Sequence, residues 1–202
     1  MPAANIRLVA VYDYTPANPS NPNNNYWNPE TGELIVDDFT PDYLYNAVYQ
    51  ATGGNYDKVQ MITVAGPISQ YDWGVVNNCA NCTLLDMSRT YGLNYIPSYN
   101  FSDNATLTTV ILPSGIEKIG DHAFLNCSNL QSLSIHAATP PTIGTGAFEG
   151  AGNFVVYVPA DALSLYQEAE GWKNFTILPF ADEVSSLEVN LPQGTDPSIY
   201  KD

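Results

Sequence analysis

Thiols and imidazoles are the side chains of this chain best suited to metal binding or nucleophilic chemistry, and they are few: Cys79, Cys82, Cys127, His122 and His136. Cys79-x-x-Cys82 has the spacing of a redox pair or of half a zinc site. A structural zinc ion takes four ligands, however, and only Cys127, His122 and His136 remain to supply two more, none at partner spacing. Odd in number and too few for a disulfide framework, the cysteines read as small apolar groups packed inside the fold, with a local Cys79–Cys82 bond left open. A hydrolytic triad would need His122 or His136 beside a nucleophile and an orienting carboxylate, and no G-x-S-x-G elbow is present. Carboxylate pairs such as Asp37-Asp38, Glu168 with Glu170, and Asp182-Glu183 have the chemistry of glycosidase acids, but neighbours on one loop or helix read as solvated charge. Phosphate-loop, dinucleotide-binding and EF-hand patterns do not occur. The expectation is a protein that is not an enzyme and holds no cofactor and no metal.

Composition narrows the partners. The 202 residues carry 21 Asp and Glu against 6 Lys and Arg, a formal charge of -15, so a polyanion is repelled and nucleic acid is not an expected partner. Apolar residues make up 45 %, enough for a sizeable core, yet no apolar run is long enough to span a bilayer. Ionised side chains are only 13 % of the total, while 14 Tyr, 15 Pro and 14 Gly carry much of the surface chemistry. That balance suits an extracellular protein. The start, Met1 to Arg7, has no basic n-region and no apolar h-region, so either the chain is cytosolic or a signal peptide has been removed ahead of it; the composition favours the second.

The elements that must position these residues form a repeat. Short apolar runs align as Val59-x-x-Ile62-x-Val64, Cys82-x-x-Leu85-x-Met87, Leu107-x-x-Val110-x-Leu112, Leu130-x-x-Leu133-x-Ile135 and Asn153-x-x-Val156-x-Val158, their starts 23, 25, 23 and 23 residues apart. An L-x-x-L-x-L core at that spacing marks a solenoid of leucine-rich repeats, one strand per turn. Strand alternation turns Leu85 and Met87, Val110 and Leu112, and Leu133 and Ile135 inward. Both open ends need caps. Thr40-Pro41-Asp42 followed by Tyr43 to Tyr49 predicts a helix with Thr40 as N-cap, stopping at Gly53-Gly54. Asp161 to Ala169 predicts a second, after which Trp172 and Phe175 should cover the last strand.

The segment Leu107-Thr-Thr-Val110-Ile-Leu112-Pro113-Ser-Gly-Ile116-Glu-Lys-Ile119-Gly120-Asp-His-Ala123-Phe124-Leu-Asn-Cys127-Ser-Asn-Leu130 closely resembles one whole unit of the BspA-like bacterial leucine-rich repeats. Pro140 to Phe148 is similar, and Tyr157-Val158-Pro159 through Phe175-Thr-Ile177 resembles the way such arrays end in gut-type Bacteroidetes. The likeness runs over about residues 40–180. It implies a secreted or outer-surface protein whose array adheres to host proteins or other cells.

The expected fold is therefore a leucine-rich-repeat solenoid with a short parallel ladder of about five turns, irregular or helical turns, a helical N-cap and a C-terminal cap. Residues 1–39 are expected to be a β-rich addition, with strands at Ile6–Tyr14 and Glu33–Val36 separated by a long irregular loop from Thr15 to Thr31; 40–180 the capped array; 181–202 an edge strand, Val184–Leu191, and a tail. Strands about 4.8 Å apart put Cys79 and Cys127, two turns apart, roughly 10 Å from each other, too far for a disulfide. His122 should face solvent from a turn, and His136 should be a surface residue ending an outward row. Five N-x-[ST] matches, among them Asn81-Cys-Thr83 and Asn126-Cys-Ser128, read as a by-product of high Asn content.

Outward rows across the strands should be Met61, Leu84, Thr109, Ser132 and Val155; Thr63, Asp86, Ile111, Ser134 and Tyr157; and Ala65, Ser88, Pro113, His136 and Pro159. Candidate ligand-binding residues are Asp86, Ile111, Ser134, Tyr157 and His136, with Tyr91 and Tyr95 from an insertion, Tyr91 to Phe101. The expected function is non-catalytic binding of a host or cell-surface protein. The alternative is a glycan-binding accessory protein using Tyr and Trp platforms, and any membrane attachment would be a lipid anchor outside these residues.

Overall fold

A computed structural model describes residues 25–37 and 40–180. Along the chain lie β1 (Tyr26–Asn28), β2 (Glu33–Val36), α1 (Leu44–Thr52), β3 (Met61–Pro67), β4 (Leu84–Tyr91), β5 (Tyr95–Ile96), β6 (Thr109–Leu112), β7 (Lys118–Ile119), β8 (Ser132–Ile135), β9 (Thr142–Ile143), β10 (Val155–Val158), α2 (Leu163–Glu168) and β11 (Thr176–Pro179). Eight strands form one sheet in the order β1-β2-β3-β4-β6-β8-β10-β11, parallel except for the β1–β2 pair. The register is that of equivalent rungs: Ile62 lies beside Leu85, Leu85 beside Val110, Val110 beside Leu133, and Leu133 beside Val156. Leu85, Val110, Leu133 and Val156 are at most 1 % exposed. A parallel sheet needs crossovers, and here each crossover is the remainder of one repeat.

The ladder is longer than the five turns expected. Glu33–Val36 adds a parallel strand before β3, with Leu34 beside Ile62, and Thr176–Pro179 adds one after β10, with Ile177 beside Val156. The sheet therefore runs unbroken across the expected boundary at residue 39/40. Tyr26–Asn28, placed by the sequence reading inside an irregular loop, is a strand because the Asn28 carbonyl accepts the Gly32 N–H at 2.9 Å and its Oδ1 accepts the N–H of Glu30 at 3.0 Å, closing a tight turn onto β2. Gly32 sits at φ 70° there, where L side chains are strained. The strands expected at Ile6–Tyr14 and Val184–Leu191 lie outside the described residues.

Residues 91–101 are not an insertion. They are the far arm of an ordinary repeat, 92–101 being equivalent to 115–124 and 139–148. Ile96, Ile119 and Ile143 stand side by side in a second parallel sheet, β5-β7-β9. Beyond it the arms bond rung to rung, Phe101 N–H to the Ala123 carbonyl at 2.8 Å and Phe124 N–H to the Ala147 carbonyl at 2.7 Å. Two positions of each arm take left-handed backbone: Tyr99, His122 and Gly146, then Asp103, Asn126 and Gly150. Between the two sheets the aromatic residues stack as a column. Ring centroids run Trp73–Phe101 6.3 Å, Phe101–Phe124 5.0 Å, Phe124–Phe148 5.3 Å and Phe148–Trp172 6.2 Å, within the range in which aromatic pairs attract.

Both ends of the stack are closed. Leu44, Val48 and Thr52 of α1 turn into the core. The helix starts three residues later than expected, at Leu44 rather than at Pro41, because Asp42 takes φ 73° and breaks the helical path. Its first N–H groups are met by Asp72, 2 % exposed, in the next turn: Oδ1 accepts from Leu44 at 3.1 Å, and Oδ2 from Asp42 at 3.0 Å and Ser69 at 2.8 Å. Gly53, at φ 62°, ends α1, and the Gly54 N–H returns to the Tyr49 carbonyl. At the other end, the helix expected over Asp161–Ala169 is a 3-10 turn at Ala160–Ala162 followed by α2. Trp172 is fully buried and donates from Nε1 to the Pro141 carbonyl at 2.7 Å, while the Tyr166 hydroxyl donates to the Ala137 carbonyl at 3.0 Å.

Phe124→Ala should lower unfolding free energy in urea by about 3–5 kcal/mol, since it removes the middle ring of the column; a loss below about 1 kcal/mol would contradict the stacking. Asp72→Asn keeps the volume but replaces one carboxylate oxygen by a donor facing backbone N–H groups. It should cost about 1–3 kcal/mol and selectively speed amide exchange at Asp42 and Leu44. Unchanged exchange there would show that another group caps α1.

Candidate binding surface

Because side chains alternate along each strand, the large sheet spends one face on the core and leaves the other outward. Strand pairing sets Thr63, Asp86, Ile111, Ser134 and Tyr157 in one row, extended by Ile35 before and Leu178 after. A second row runs through Met61, Leu84, Thr109, Ser132 and Val155 to Thr176. The third differs from expectation: a register shift between Thr63 and Ala65 pairs Ala65 with Arg89, so Ser88 leaves the row. The Asp86 carboxylate accepts the Ser88 N–H at 2.8 Å, which bends the strand at that point.

Of the seven candidate residues the fold gathers Asp86, Ile111, Ser134 and Tyr157 in one row, with His136 at the end of β8 beside it. Ile111, Ser134 and Tyr157 are half-buried by their neighbours, and His136 is exposed. Asp86 is only 8 % exposed, so it underlies the row rather than standing proud of it. Tyr91, 64 % exposed, sits at the far end of β4 on the rim of a shallow depression of about 370 Å³ shared with Leu93 and Pro113. Tyr95 belongs to the small sheet, where its hydroxyl donates to Gln70 Oε1 at 3.1 Å, and is not part of the row.

Two contact residues escaped the sequence reading. Leu178, 44 % exposed, continues the row, and Phe180 lies over His136 with ring centroids 4.7 Å apart. Their signal was weak but present: Asn174-x-x-Ile177-x-Pro179 repeats the apolar pattern 21 residues after Asn153, a shorter step than the others, with proline at the last apolar position. Burial pushes the His136 pKa below the usual histidine value, and the nearby Asp86 carboxylate works against that shift. His136 is thus a surface histidine with Phe180 packed against its ring. His122 differs from expectation. It is half-buried, its ring stacked on Tyr99 at 4.9 Å and 9°, over the space left by Gly146, where a Cβ would come within 2.8 Å of the imidazole.

The remaining reactive groups are used structurally. Cys79, Cys82 and Cys127 are buried and unbridged, so the Cys79–Cys82 bond left open by spacing is not formed. Burial raises the Cys79 and Cys127 thiols to about 11 and Cys82 to about 12, which keeps all three protonated and poor as nucleophiles or metal ligands at neutral pH. Cys127 donates to the Phe101 carbonyl at 3.0 Å, tying one rung to the preceding one. Glu170 pairs with Lys173 at 2.8 Å, a contact that holds its carboxyl below the usual range. No group of three or more metal-ligating side chains comes together among the described residues.

The surface is thus a broad, ordered face in which Ile111, Leu84, Tyr157 and Leu178 alternate with Thr and Ser. It can recognise a partner by shape, apolar burial and hydroxyl hydrogen bonds. No curated protein matches the chain. The family model for the BspA type leucine rich repeat region matches residues 55–162 in six copies, a core of the stretch 40–180 over which the sequence resembles such arrays. With its parallel rungs in register and its far arms stacked, the chain belongs to the BspA-type leucine-rich repeat family.

Proposed function

We propose that this protein is a non-catalytic binding module of the extracellular space or outer cell surface, and that the outward face of its large sheet contacts a host or cell-surface protein. One observation carries the reading: strand pairing lines up Ile111, Ser134, Tyr157 and Leu178 as a continuous, uncharged row on the outward face of the large sheet. Extended faces of repeat arrays commonly bind proteins, and leucine-rich repeats are a protein-binding architecture. Low charge along the row keeps desolvation cheap, and Tyr157 supplies a rigid amphipathic anchor. No helix among the described residues is long and apolar enough to cross a membrane.

The test is surface plasmon resonance against a panel of purified extracellular-matrix proteins. At least one should bind, and Tyr157→Ala combined with Ile111→Asp should weaken it tenfold or more without lowering the helix and strand signal in circular dichroism. Equal binding by the double variant would remove the row from the interface, and silence across the panel would argue for a spacer instead.

A further inference from the structure

The N-terminal cap carries a feature that closing the solenoid does not require. Opposite the buried side of α1, Tyr45 and Tyr49 stand one helical turn apart, each 49 % exposed. Tyr56, from the 3-10 turn Tyr56–Lys58, backs both of them, its ring centroid 5.4 Å from Tyr45 at 26° and 6.4 Å from Tyr49 at 44°. Gly54 makes room for this arrangement: at φ 82° it carries no side chain, and a Cβ there would stand 3.1 Å from Tyr49 Cε2. The rings are therefore held before any ligand arrives, which lowers the ordering cost of binding.

We infer that Tyr45 and Tyr49, backed by Tyr56, form a stacking shelf for a neutral polysaccharide built of pyranose rings with equatorial substituents. Such a ring presents a flat face of axial C–H groups, weakly positive, to the negative face of an aromatic ring. The exposed amides of Asn46 and Gln50 lie on the same short helix, within reach of sugar hydroxyls. Charge selects the class of partner. α1 itself carries no Asp, Glu, Lys or Arg, the exposed Asp57 and Lys58 that follow Tyr56 are opposite in charge, and the chain's net charge of -15 repels anionic polymers. This shelf is separate from the outward face of the large sheet, and either can fail without the other.

Native affinity electrophoresis in gels containing soluble glucomannan, arabinoxylan or xyloglucan, with polygalacturonate as the anionic comparison, tests the inference. At least one neutral polysaccharide should retard the full chain. Tyr45→Ala with Tyr49→Ala should weaken that retardation at least tenfold, Tyr45→Phe with Tyr49→Phe should keep most of it, and Leu165→Ala, on the exposed side of the opposite cap, should leave it unchanged. Should the alanine pair lower the melting temperature, Tyr45→Gln with Tyr49→Gln, which preserves helix propensity, takes its place with the same expected loss. Absence of retardation by all three neutral polymers, undiminished retardation of the Tyr45/Tyr49 variants, or equal retardation by polygalacturonate would each overturn it.

Discussion

Each rung of this protein buries its apolar side chains only because the next rung is there. Leu85 has no interior of its own; it becomes inaccessible between Ile62 and Val110, which are sheltered in turn by their own neighbours. The same dependence runs along the aromatic column from Trp73 to Trp172. Packing is therefore one-dimensional, with stability arising from contacts between successive units rather than from a central nucleus. Everything else follows from that constraint: repeats of nearly equal length, left-handed backbone recurring at equivalent positions, and dedicated closures at both ends.

The same economy explains the composition. A chain with 13 % charged residues has few ion pairs to offer, and the polar work between turns falls to asparagine and threonine. Asn81 Nδ2 donates to the Asp57 carbonyl and Asn129 Nδ2 to the Ala105 carbonyl, each at 2.6 Å and 24 residues away, while Asn126 reaches Asp103 Oδ1 at 2.8 Å. These bonds join one rung to the rung before it. Asn81 and Asn126 head N-x-[ST] matches that the composition alone explained as chance; their side chains serve as rung-to-rung ties.

Where the sequence could be read, the reason was periodicity. Five runs spaced 23 to 25 residues apart predict that residues 85, 110 and 133 lie side by side, and two outward rows follow from alternation within each strand. Departures fall where periodicity gives no information. The register shift that removes Ser88 from its row comes from the Asp86 carboxylate turning to the Ser88 N–H, a local choice invisible to a pattern of apolar residues. Tyr91 to Phe101 looks like an insertion because its tyrosines and Pro97 replace the familiar signature; the arm still takes the common path because Phe101 meets Phe124. The start of α1 was misplaced because its cap, Asp72, comes from another turn of the solenoid.

By itself the sequence determined the architecture, the inward set and the order of the outward rows, since a repeated apolar pattern at fixed spacing admits one way of stacking. Only the tertiary structure decided which tyrosines are free and which are packed, that Asp86 is covered, that Leu178 and Phe180 join the exposed face, and that Tyr45, Tyr49 and Tyr56 share one shelf. The physical reason is that exposure and ring-on-ring contact depend on neighbours from other turns and caps, whereas inward or outward direction depends on parity within a single strand.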